Sequence, residues 1–118
     1  MAEARAAVLG VDGGNSKADV VLAGRDGRLL AFGHGPTISH QQVGLQAGMA
    51  RLVEEVTGLA VGAGVSAGRR PIAEVGSFCL AGADFPAEVR LLERGIEDTR
   101  LTERTLVAND TFGAVWID

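Results

Sequence analysis

The sequence predicts an α/β domain in which a three-stranded antiparallel meander is followed by alternating helices and strands. Two observations carry this. The first third of the chain holds short apolar runs separated by glycine-containing polar turns. From Leu45 onward, helical periodicity alternates with further short apolar runs. An initial meander followed by crossovers, with helices available to cover the sheet faces, is an α/β arrangement.

The apolar run Ala6 to Val11 stops at Asp12, Gly13-Gly14-Asn15-Ser16 makes a tight turn, and Ala18 to Ala23 leads away. Two strands joined by a short glycine turn fit this pattern. Gly24 to Arg28 is turn chemistry with Asp-Gly at its centre, and Leu29 to Gly33 completes the meander. Gly33 to His40 has no period and reads as a surface loop. Leu45, Met49, Leu52, Val53 and Val56 then fall on one face of a helix, with Met49 in the core. Glu54 and Glu55 lie off that stripe as solvated charges. The glycine-rich stretch Gly58 to Arg70 has little to bury and reads as a helix end plus loop. Ile72 to Leu80 reads as a buried strand ending in Ala81-Gly82-Ala83-Asp84. A capping Asp84 and Pro86 in the first turn start a second helix, with Val89, Leu92 and Ile96 on its buried face. Arg104 to Ala108 is a short buried strand, and the apolar segment after Asn109-Asp110 opens another helix.

At 118 residues the chain is one domain with a moderate core. Apolar residues at 47% against 22% charged place it among globular chains, not disordered ones. A net charge of −4, and no basic cluster beyond Arg69-Arg70, argue against a nucleic-acid surface. The single cysteine, Cys79, excludes an internal disulfide and a cysteine zinc cluster, and reads as a small core residue. No apolar run reaches the length of a membrane span, and the first residues, MAEARAA, lack a signal-peptide pattern, so a cytoplasmic location is expected.

Two places carry chemistry. In the first turn, glycines let backbone N–H groups approach an anion, while Ser16 and Lys17 add donors suited to phosphate oxygens. Asp12, at a strand end, could hold magnesium directly or through water. An ordinary hairpin using Gly-Gly and Asn for positive φ fits this turn equally well. Lys17 is the only lysine in a chain that otherwise uses arginine, which tilts the reading toward an anion site. In the second place, Asn109-Asp110 follows a buried run. Asp110 could act as a general base, though spacing alone favours a helix cap.

GVDGGNSKADVVLAG resembles the first phosphate motif of the sugar kinase, heat-shock protein 70 and actin superfamily. Within it, the chain is similar to the N-acetylglucosamine kinase and BadF/BadG-type ATPase family, whose Asn-Asp segment VANDTFGAVW resembles. The resemblance implies a ribonuclease-H-like (actin-like ATPase) domain, with a five-stranded mixed sheet of order 3-2-1-4-5 flanked by helices. Asp12, Gly82 and Asp110 would then face a common cleft.

The resemblance also implies ATP and Mg2+ as cofactors. Asp12 would help place the metal, and Gly13, Gly14, Asn15, Ser16 and Lys17 would surround the phosphates. Asp110 would deprotonate the amino-sugar hydroxyl that attacks the γ-phosphate, with Asn109 contacting the sugar. The loop Gly35 to His40 matches the family's sugar-contacting loop in position and in its Gly-Pro start, which makes Thr37 and Ser39 substrate contacts. An asparagine common in that loop is absent, with Ile38 and Ser39 there instead, so the identity of the sugar stays open. His34 and His40 are expected at the surface.

Family members hold nucleotide between two such domains. Residues 1–118 are therefore expected to be the N-terminal domain alone, without turnover by itself. The expected partners are an amino sugar and the missing C-terminal domain, with a homodimer allowed for. Neither nucleic acid nor membrane is expected. A BadF/BadG-type ATPase that activates a dehydratase, or a non-catalytic sugar or nucleotide sensor, are the alternatives. Asn109-Asp110 and the Gly-Pro loop favour the kinase.

Overall fold

The computed structural model describes residues 6–65 and 69–109. The apolar runs form five strands: β1 (Ala6–Gly13), β2 (Lys17–Ala23), β3 (Leu29–Pro36), β4 (Ala73–Leu80) and β5 (Thr102–Asn109). The helices are α1 (His40–Val43), α2 (Leu45–Gly62) and α3 (Pro86–Thr99). The strands pair in the order β3-β2-β1-β4-β5. Pairing is antiparallel within the meander and parallel from β1 to β4 to β5. This is the ribonuclease-H-like order implied by the resemblance.

Register explains which side chains are buried. Leu9, Val11 and Gly13 of β1 lie level with Leu22, Val20 and Ala18 of β2, and with Gly76, Phe78 and Leu80 of β4. Level residues project to the same face, so these strands share one apolar surface. Leu52 and Val56 of α2, with Leu92 and Ile96 of α3, are buried in the same core as Leu9, Leu22 and Phe78. Each such side chain contributes roughly 1.5–3 kcal/mol relative to exposure. On the opposite face Val8, Phe32 and Leu106 stay exposed among the described residues. Cys79 is buried, as expected of a small core residue. No helix among the described residues is long and apolar enough to cross a membrane.

Several boundaries differ from the sequence reading. β3 continues past Gly33 to Pro36, because its pairing with β2 runs on until Pro36 meets Lys17. The short turn α1 carries no apolar periodicity and is not visible in the sequence; Gly44, at φ 88°, separates it from α2. α2 runs beyond Gly58 to Gly62, since Ala60 still reaches the core and its packing offsets the glycine cost. Pro86 does open α3, but Asp84 does not cap it: the N-cap position is Phe85, with no side-chain cap. The helix expected after Asn109 lies outside the described residues.

Two glycines of α2 give opposite expectations for the same substitution. A Cβ on Gly48 would stand 2.3 Å from the Ile38 carbonyl oxygen, whereas one on Gly58 would meet nothing within 4 Å. Gly48→Ala is expected to lower the unfolding free energy by about 1–3 kcal/mol through overpacking. Gly58→Ala should raise it by about 0.5–1 kcal/mol. Urea unfolding followed by circular dichroism reads both; an equal effect at the two positions would contradict the packing described here.

Candidate functional site at the strand ends

The strand ends bring the candidate residues to one edge of the sheet. Gly13, Leu80 and Asn109 form a row across β1, β4 and β5, with Asp12, Cys79 and Ala108 in the row before. β2 begins and β3 ends at that same edge, Lys17 opposite Pro36. The β1–β2 turn, the loop after β3 and the segment after β4 therefore meet there.

Gly13 is a glycine for packing reasons. A Cβ on it would lie 2.8 Å from Leu80 Cδ2 and 3.3 Å from Ile38 side-chain atoms. Positive φ does not shape the turn, contrary to the hairpin expectation. Among the described residues it is found at Gly27, Gly44, Gly64, Gly82 and Arg100 instead. Hydrogen bonds hold the turn. The Gly14 N–H donates to the Lys17 carbonyl at 2.9 Å. Thr37 Oγ1 donates to the Gly14 carbonyl at 2.8 Å and accepts from the Ser39 N–H at 3.0 Å. Ser39 Oγ donates to Asn15 Oδ1 at 3.1 Å. Asn15, Ser16 and Lys17 are exposed.

Asp12 projects to the face opposite Gly13, level with Asp19 on β2 and Cys79 on β4. Lys17 Nζ stands 3.7 Å from Asp19 Oδ2, with the lysine side chain 68% exposed. Sequence reasoning missed Asp19; the hairpin register, which sets it across from Asp12, is the signal that finds it. Like charges directly opposite on neighbouring strands repel. A site of oxygen donors with that charge suits a hard divalent cation. Groups of three or more His, Cys, Asp or Glu side chains able to hold a metal are not found among the described residues.

Beyond β4, the Ala81 N–H donates to the Gly13 carbonyl at 2.7 Å, extending the parallel pair by one residue. Gly82 follows at φ 90°, and a Cβ there would lie 2.6 Å from His40 Cε1. His40 was expected at the surface. Its side chain is only 13% exposed, with Nε2 3.4 Å from Glu88 Oε2, because α1 turns it onto Gly82. His34 is exposed, as expected. Asn109 Nδ2 donates to Asp84 Oδ1, which ties the end of β5 to the β4–α3 segment and turns that acid away from its expected cap. Asp110, the expected general base, lies outside the described residues.

Glu55 also departs from expectation. It was read as a solvated charge, yet it is half-buried and its Oε1 has no hydrogen-bond partner among the described residues. It lines a concavity of about 410 Å³ with His34, Pro36, Arg51, Glu54 and Leu59. Burial first, and then the charge of Asp19, raise its pKa above the ordinary glutamate value, while His34 opposes them.

No protein-family model matches the chain, and no curated protein sequence matches it. Solved structures do resemble it. One is the crystal structure of a putative N-acetylglucosamine kinase from Chromobacterium violaceum, similar with a TM-score of 0.75 at 19% sequence identity. The similarity covers 94% of this chain and 37% of that one. At that identity the likeness establishes the shared fold.

The Glu55 environment has a pH signature. A carboxyl whose pKa is raised on folding binds its proton more readily in the native state. Stability is then lost as pH rises from the ordinary glutamate value through the raised one, and the loss is absent below that window. Glu55→Gln is expected to stabilise the fold at neutral pH by less than about 1 kcal/mol, since solvent screens the half-buried group. At about pH 3, where glutamate is protonated in both states, the gain should vanish. Thermal unfolding of both proteins across this range checks it; a gain independent of pH would point to packing alone.

Proposed function

We propose that residues 1–118 are the N-terminal domain of an ATP-dependent amino-sugar kinase resembling N-acetylglucosamine kinase, acting with a second domain. The observation that carries the reading is the convergence on one strand-end edge of Asp12, the turn through Lys17, the loop holding Thr37 and Ser39, and Asn109. Donor and acceptor of a phosphoryl group need such a shared edge. The fold shared with the Chromobacterium violaceum protein supports it.

The residues suit the cofactors of this reaction. Asn15, Ser16 and Lys17 are exposed donors matched to phosphate oxygens. Asp12 beside Asp19 offers carboxylate oxygens to Mg2+. ATP with Mg2+, when bound, supplies the transferable phosphoryl group and partial neutralisation of its charge. The Gly14 N–H is committed to the Lys17 carbonyl, so the amides of Asn15 and Ser16 and the lysine ammonium would hold the anion. Asn109 and the loop that Thr37 and Ser39 anchor would border the sugar. Asp110, next in sequence after Asn109, would accept the proton of the attacking hydroxyl.

The test is ADP release by the protein at its natural length, with N-acetylglucosamine, glucosamine and glucose in parallel. Asp110→Asn is expected to lower kcat by about 10²–10⁴-fold. Little change is expected in the apparent affinity for ATP. The 118-residue chain alone should release no ADP. Hydrolysis indifferent to every sugar and to Asp110→Asn would replace the kinase with a BadF/BadG-type ATPase.

A further inference from the structure

We infer that Thr37 and Ser39 are positioning residues that lock the β1–β2 turn to the loop before α1, so that the nucleotide-facing and acceptor-facing segments form one hydrogen-bonded unit. The inference rests on the reading above for the identity of the two ligands. A hydroxyl has one proton to give. Thr37 donates its proton to the Gly14 carbonyl at 2.8 Å and Ser39 donates its own to Asn15 Oδ1 at 3.1 Å. Both protons are therefore spent on the turn and not on a sugar. Holding Oδ1 of Asn15 from behind directs its Nδ2 end the other way, and Asn15 is exposed. An amide gripped by its acceptor presents its two donors, which is the orientation an anion needs.

The loop can serve as a support because it is itself fixed. Ile38 is buried, and its carbonyl oxygen lies so close to Gly48 of α2 that a Cβ there would approach to 2.3 Å. Arg51 Nη1, also from α2, donates to the Thr37 carbonyl at 3.0 Å. The Ser39 carbonyl accepts the N–H groups of Gln42 and Val43, both at 3.0 Å, and Ser39 is 4% exposed. The turn is thus referenced through the loop to α2 and the core. Groups whose supports are locked by packing hold a ligand geometry better than groups on free turns.

The experiment uses the natural-length protein and the variants Thr37→Val, which removes the hydroxyl at constant shape, and Thr37→Ser, which keeps it. Two readouts are taken: MgATP affinity by calorimetry, and amide hydrogen exchange across residues 13–17. Thr37→Val is expected to weaken MgATP binding about fivefold to tenfold, the worth of one hydrogen bond. It should also speed exchange in the turn while leaving α3 unchanged, and Thr37→Ser should restore both. Ser39→Ala and Asn15→Ala should be non-additive, the double variant binding MgATP no more weakly than Asn15→Ala alone. Weakened sugar binding with unchanged MgATP affinity and unchanged exchange would overturn the inference. A wild type that binds MgATP but phosphorylates no sugar would remove the kinase reading alone, the inference then standing or falling on the MgATP affinities. A wild type that binds no MgATP would overturn both.

Discussion

The closure of Leu80 and Ile38 over Gly13 is the contact on which the rest of the strand-end edge depends. A Cβ at this position would stand 2.8 Å from Leu80 Cδ2 and 3.3 Å from Ile38, so its absence lets both side chains close over the end of β1. The parallel pair then gains an extra bond, from the Ala81 N–H to the Gly13 carbonyl. Ile38, held there, presents its carbonyl to Gly48 and so ties the loop to α2. One glycine thereby sets the relative placement of the turn, the loop, the β4–α3 segment and a helix. Interiors packed at near-crystalline density transmit such a constraint instead of absorbing it.

The architecture was legible because it depends on periodicity. Alternation in β1 and β2 and the helical stripe through Leu52 and Val56 each follow from burying one face, whereas the sheet order followed from the family resemblance and not from the pattern. What was not legible depends on contacts between residues far apart in sequence. Asp84 has the composition of a cap, but Asn109 on another strand engages its carboxylate. His40 and Glu55 are polar residues whose burial is decided by glycines, Gly82 and Gly35, whose missing side chains leave them room. The site shows the same division. The donors that the first turn exposes were visible as residue types, whereas the partners of Thr37 and Ser39 were not.

Charge at this edge is distributed between two settings. Asp12, Lys17 and Asp19 lie together near solvent on one side of the sheet, where water and salt screen their interactions and leave them responsive to a bound ion. Glu55, behind the β3 edge, is partly withdrawn from water, so its ionisation is coupled to the packing of α2. The two settings communicate, because Asp19 contributes to the field at Glu55.

The spacing of the contacts also orders how the edge is assembled. Thr37 meets Gly14 across 23 residues, and Ser39 meets Asn15 across 24, so these links belong to the meander and close loops of modest entropy. The pairing of β1 with β4 encloses the whole meander and α2 before it can form. Long-range parallel pairing of that kind is the slow part of folding. The turn and its supporting loop can thus come together as a local unit, whereas the row through Leu80 and Asn109 waits for the crossovers. A chain arrested midway would carry the first half of the edge without the second.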